Sequence, residues 1–196
     1  AYLGNKNCIE YILNGLTNES ETDPLTNYNV MIFDQSFGNS SSISLMNTHM
    51  LKKGNQKDAN VSGLFTRINN KKNTHTYIGK IKMSHEFETD KIIRGYSGIL
   101  SIDKTNGKFR YNLYTKIEDS NYNPNDLGFL YSNNEISKGL SVSYHQLSRN
   151  KRLISSSSLL EIEHNTLFTD QRFVNLDLEL EGKATLNNYT SLFVNT

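Results

Sequence analysis

The sequence predicts an all-β chain, an antiparallel up-and-down meander, and three observations carry that prediction. The first is the alternation between Gly107 and Asp119. Phe109, Tyr111, Leu113, Thr115 and Ile117 point one way; Lys108, Arg110, Asn112, Tyr114, Lys116 and Glu118 point the other. A side-chain period of two belongs to a strand with one apolar and one wetted face. The second is that no convincing run has apolar residues at the i, i+3, i+4, i+7 spacing of an amphipathic helix. The third is length. The run at 107–119 exceeds the roughly 5–6 residues usual in soluble strands and covers the roughly 9–11 that a tilted strand needs to cross a bilayer. The predicted architecture is therefore an arc or slice of a transmembrane β-barrel.

Alternation and turn residues together predict about eleven strands. They lie near 9–16, 28–35, 40–52, 59–68, 75–87, 92–104, 107–119, 136–148, 152–163, 171–182 and 184–195. The segment at 75–87 rests on Tyr77, Ile81, Met83 and Phe87 opposing Thr76, Lys80, Lys82 and Glu86. Those at 92–104 and 107–119 are joined across the turn Thr105-Asn106-Gly107. In 136–148, Leu140, Val142 and Tyr144 oppose Ser141, Ser143 and His145; in 171–182, Val174, Leu176, Leu178 and Leu180 oppose Asn175, Asp177, Glu179 and Glu181. The segments at 40–52, 59–68 and 152–163 alternate poorly and follow from their neighbours and bounding turns.

The predicted connections run long, short, long, short: 17–27 then 36–39, 53–58 then 69–74, 88–91 then 105–106, 120–135 then 149–151, 164–170 then 183, with 88–91 the exception to the long class. Long loops on one rim and tight turns on the other describe an up-and-down barrel of the bacterial outer membrane. Greek-key crossovers of a soluble sandwich would not sort loops this way.

Composition narrows the function. Hydrophobic residues make up 36% of the chain and the mean hydropathy is −0.58, thin for a dry core but suited to a sheet whose second face is wet. A net charge of +1 and a pI near 8.0 give no electrostatic case for nucleic acid. The single cysteine, Cys8, makes no internal disulfide and no thiolate zinc cluster. Two prolines, twelve glycines and no long apolar run exclude a collagen-like chain and a transmembrane helix. With Ala1 at one end and the strand-like Ser191–Thr196 at the other, residues 1–196 read as a single barrel segment, truncated at both ends.

Several stretches resemble a known family: Asn29-Val30 through Phe33-Asp34-Gln35-Ser36-Phe37, Asn39 through Asn47-Thr48, and Asp58 through Leu64. To these are added Lys72-Asn73-Thr74 with Tyr77, Lys104 through Phe109, and Asn123-Pro124-Asn125-Asp126-Leu127-Gly128-Phe129-Leu130 with Asn134-Glu135. The chain is similar, over about 28–145, to the C-terminal β-barrel domain of unknown function in large Bacteroidota envelope proteins, which typically follows a carbohydrate-binding-like domain. The resemblance implies the outer membrane of a Gram-negative bacterium and supplies no catalytic residues.

Candidate chemistry is sparse. Asp119, Asn121, Asn123 and Asp126 offer side-chain oxygens as a calcium loop does, but Pro124 stands where glycine is wanted and Leu130 where a bidentate glutamate is wanted. Asx-turns account for the same residues. His49, His75, His85, His145 and His164 lack metal-ligand spacing; His75 and His85 on one strand would be about 33 Å apart. Asp177, Glu179 and Glu181, about 6.6 Å apart in steps of two, could do acid–base work on sugars, yet alternation alone makes them a wetted lumen wall. Tyr77, Tyr96, Tyr111, Tyr114, Tyr122, Tyr131 and Tyr144 suit an interfacial girdle or a sugar platform. The expectation is a non-enzymatic outer-membrane segment without a cofactor, acting as anchor, conduit or scaffold. Its partners would be the lipid bilayer, remaining strands of the barrel, and envelope proteins. The alternative is a soluble all-β glycan-binding module. The loop ending in Phe129 and Leu130 is expected to fold back toward the barrel and bury both, with Asn123 and Asp126 capping backbone N–H groups.

Overall fold

The computed structural model describes residues 2–3, 7–13, 16–38, 40–54, 57–146 and 148–196, with the backbone alone before Pro24. The strands are β1 (Tyr2–Leu3), β2 (Asn7–Leu13), β3 (Leu16–Asp23), β4 (Thr26–Phe37), β5 (Ser41–Lys52), β6 (Asp58–Asn69), β7 (His75–Phe87), β8 (Ile92–Lys104), β9 (Phe109–Glu118), β10 (Glu135–Gln146), β11 (Leu153–Leu167), β12 (Phe173–Leu186) and β13 (Ser191–Asn195). No helix occurs among the described residues. From β4 to β13 each strand pairs antiparallel with the next, β1 adds to the outer edge of β4, and β2–β3 form a separate hairpin. The sheet is open: β4 and β13 do not pair with each other.

The predicted all-β meander is therefore the observed fold, and β7 and β8 have the predicted bounds. Three details differ. The predicted strand 9–16 and loop 17–27 are instead the β2–β3 hairpin, whose register runs Ile12↔Thr17 and Leu13↔Leu16. The polar run Thr17–Asp23 carries no apolar alternation, so only its partner reveals it as a strand. The predicted turn at 183 is ladder, because Gly182 pairs with both Ser158 and Val194, and the real turn lies at 187–190. The sorting of loop lengths also thins: among the described connections only 119–134 is long.

Register puts like with like. One row runs Ile68↔Tyr77↔Ile102↔Leu113↔Leu140↔Ile162↔Leu178 across seven strands. A second joins Phe33, Leu45, Leu64 and Ile81 on the same face. The opposite face carries rows such as Lys82↔Ser97↔Glu118↔Glu135.

Burial is the reverse of that in a water-filled environment, where large apolar groups are the ones hidden. Leu100 is 64% exposed and Leu178 61%, whereas Glu118 is 1% exposed and Ser97 2%. Among the described residues, the buried apolar ones, Met50, Ala59 and Tyr122, all lie on the polar side. Side chains crowd there because small residues make room. Tyr114 reaches over Gly139, where a Cβ would sit 2.1 Å from its ring, and donates a hydrogen bond to Glu163 two strands away.

Candidate functional site

The long connection 119–134 does not stand away from the sheet. It begins with Asp119, whose N–H donates to the Tyr96 carbonyl at 3.0 Å while its carboxylate accepts from the N–H groups of Tyr96 and Asn121, both at 3.0 Å. That turn drives Tyr122 down onto the polar face, where it is 1% exposed. The socket exists because position 95 is glycine: a Cβ there would lie 2.2 Å from the Tyr122 backbone. Lys82 Nζ stands 5.0 Å from the ring centroid, within cation–π range. The Asn123 N–H then donates to Ser84 Oγ at 3.0 Å.

Around this anchor the charges are paired. Lys116 meets Glu118 at 2.9 Å, and Ser97 Oγ lies 3.5 Å from the other Glu118 oxygen. Lys57, in the connection between β5 and β6, bridges Glu86 at 2.6 Å and Asp126 at 2.8 Å. Burial pushes the Tyr122 hydroxyl up to about 12, with the Glu118 charge adding to the effect. Burial pulls Lys57 down, but its hydrogen bonds with Asp126 and Glu86 outweigh that and hold the ammonium above its ordinary range.

The outer half of the loop is tied by its own amides. Asn125 N–H donates to Asn123 Oδ1 at 3.1 Å, Leu130 N–H to Asn125 Oδ1 at 2.6 Å, and Leu127 N–H to the Pro124 carbonyl at 2.8 Å. Asn133 Nδ2 donates to the carbonyls of Ser120 and Tyr122, both at 3.0 Å. Between these groups and Glu86 lies a cleft of about 390 Å³, with Tyr131 at its lip.

The loop thus folds back as expected, but through a different residue. Phe129 is 85% exposed and Leu130 only half-buried; Tyr122 is the anchor instead. Asn123 caps a backbone N–H, while Asp126 pairs with Lys57. Of the calcium candidates, Asp119 and Asn123 direct oxygens at backbone N–H groups and Asp126 at an ammonium. No group of three or more His, Cys, Asp or Glu among the described residues could hold a metal ion.

Asp177, Glu179 and Glu181 lie exposed on the polar face of β12. Asp177 sits opposite Glu163, and Glu179 opposite Glu161. Facing like charges are unfavourable; Glu163 is compensated by Tyr114 and by Asn165 Nδ2 at 3.0 Å. Glu161 and Glu163 were missed by the alternation of 152–163 alone, although parity against β12 identifies them.

The histidines do not converge. His75 lies 6.2 Å from Tyr111, His85 stacks at 6.0 Å on Phe87, and His164 lies 5.7 Å from Phe173, by ring centroids. All six residues are on the apolar face near a rim. His145 Nε2 is 3.1 Å from Ser143 Oγ on the polar face, and His49 faces Asn29 and Asn60 across the ladder. Phe37, Tyr77, Tyr111 and Tyr144 mark the rim of the 105–108 turn, and Phe87, Tyr96 and Phe173 the rim of the long loop.

A family model described as Domain of unknown function (DUF5916) matches residues 5–196, extending beyond the 28–145 of the sequence resemblance. No curated protein and no solved structure matches the chain.

Proposed function

We propose that this chain, which belongs to the DUF5916 family, is an arc of an outer-membrane β-barrel that anchors an envelope protein and lines a polar conduit. The observation that supports this reading is the inverted burial: apolar rows exposed across many strands on one face, polar rows sheltered on the other. Water-soluble monomers rarely expose contiguous apolar patches beyond a few hundred Å². A bilayer removes the cost, because lipid tails solvate those side chains.

Dimensions agree with the reading. The 13 residues of β7 extend roughly 43 Å at about 3.3 Å each, and at a tilt of about 40° span roughly 33 Å, enough for a hydrocarbon core of about 30 Å. The aromatic residues at both rims, with Ile81, Leu100, Leu113 and Leu178 between them, match the girdles and apolar band of such barrels. Lys104 Nζ, 5.6 Å from the Phe109 centroid, is placed to reach the headgroup layer. In lipid an open sheet edge leaves N–H and C=O groups without partners; further strands on the free sides of β4 and β12–β13 close the barrel in this reading.

Arginine placed at Leu178 and at Glu179 in turn tests it. Leu178→Arg should lose about 2–4 kcal/mol of stability in lipid, the cost of arginine near the midplane. Glu179→Arg, on the polar face, should stay within about 1 kcal/mol of the wild type. Equal tolerance at the two positions would remove the membrane reading.

A further inference from the structure

We propose that the cleft held by the 119–134 loop binds a neutral saccharide, with Tyr131 as its stacking platform. The site goes beyond the barrel reading and rests on the geometry of the loop itself. Its volume of about 390 Å³ falls in the roughly 300–1,000 Å³ range of small-molecule sites.

The chemistry of the walls selects the ligand class. Asn133 commits both Nδ2 hydrogens to backbone carbonyls, which fixes its amide and leaves Oδ1 to accept. Asn125 commits Oδ1 to the Leu130 N–H, leaving its Nδ2 to donate. The Asn121 side chain and the hydroxyls of Ser120 and Ser132 make no hydrogen bond among the described residues and line the same cleft. The Asn133 amide is thus fixed before a ligand arrives, and its neighbours add neutral donors and acceptors free to reach one. The one carboxylate among the wall residues, Glu86, is paired with Lys57 at 2.6 Å, and no cationic side chain lines the cleft, so nothing in the wall calls for an anionic ligand.

Tyr131 completes the match. It is 93% exposed, an aromatic ring with both faces in water. A pyranose has an apolar C–H face that covers such a ring and a rim of hydroxyls that suits oriented amides; aromatic contacts of this kind add to area burial. An extended peptide would call for a deeper apolar pocket or a free ladder edge beside the cleft. Asn133, two residues beyond the platform, is tied to the carbonyls of Ser120 and Tyr122, which lowers the cost of ordering this part of the loop on binding.

Calorimetric titration of the full chain in a zwitterionic micelle without a sugar headgroup tests the assignment, with cellohexaose, xylohexaose, mannohexaose and maltohexaose as probes. At least one should bind, and Tyr131→Ala should weaken it by about tenfold or more. Tyr131→Phe should keep most of the affinity. Tyr189→Ala, which removes another solvent-facing tyrosine, at the opposite rim, should change nothing. Absence of binding by all four, unchanged binding in Tyr131→Ala, or capture of casein-derived peptides in place of the sugars would overturn the proposal. None of these outcomes depends on membrane insertion, so failure here leaves the barrel reading to its own test.

Discussion

Gly95, which lies outside the long loop, makes the socket that the loop's anchor fills. A methyl group at 95 would meet the backbone of Tyr122 at 2.2 Å, and backbone cannot yield as a flexible side-chain tip can. Gly95→Ala should therefore lift Tyr122 from its socket, at the roughly 1–3 kcal/mol typical of overpacking, while the strands keep their register. The tyrosine hydroxyl reports the event. In its socket Tyr122 ionises near 12, against 10.0 for a free tyrosine. The folded loop holds that proton more tightly than the unfolded chain, so this contribution to stability is whole below pH 10 and is lost as the pH rises from 10 towards 12. Ultraviolet difference titration should show that Tyr122→Phe removes one late-ionising tyrosine from the wild-type profile and that Gly95→Ala moves it back towards 10. A late phase as large in Tyr122→Phe as in the wild type would place the buried hydroxyl elsewhere. None of this was legible in the sequence: the Asn-Pro-Asn-Asp-Leu-Gly-Phe run suggested a folded-back loop, but its apolar residues drew the prediction to Phe129. Which aromatic goes down depends on a glycine in another strand.

At the scale of elements, the alternating segments were the readable ones. β7, β9, β10 and β12 each carry an apolar face that register with the neighbours then confirms. β3 was not legible, since Thr17–Asp23 has no apolar face to read, and β11 only partly, since serines occupy Ser155–Ser158 on both faces. Loop lengths misled at 183, where a residue inside the ladder passed for a turn: Lys183 pairs with both Ser157 and Phe193. The meander itself still sorts the connections: 105–108 and 148–152 lie at one rim and 119–134 at the other. Cysteines introduced at Asn106 and Asn125 should therefore be on opposite sides of the membrane. A membrane-impermeant maleimide on intact cells should label Asn125→Cys and spare Asn106→Cys, as long loops face outwards in such barrels. Labelling of Asn106→Cys alone inverts the orientation, and labelling of both contradicts a spanning sheet.

At the scale of the whole molecule, the central claim is that one face of the sheet meets lipid and the other meets water. β12 is the strand to ask, because its alternation is unbroken and both of its faces are exposed. In a background with Cys8→Ser, cysteines placed singly from Asn175 to Glu181 can carry a bimane fluorophore in reconstituted vesicles. Quenching is then read twice, with brominated lipid and with aqueous iodide. Labels at Leu176, Leu178 and Leu180 should be quenched by brominated lipid and shielded from iodide, and labels at Asn175, Asp177, Glu179 and Glu181 should show the reverse, a period of two along the strand. Iodide quenching at every position, with no response to brominated lipid, would contradict the account.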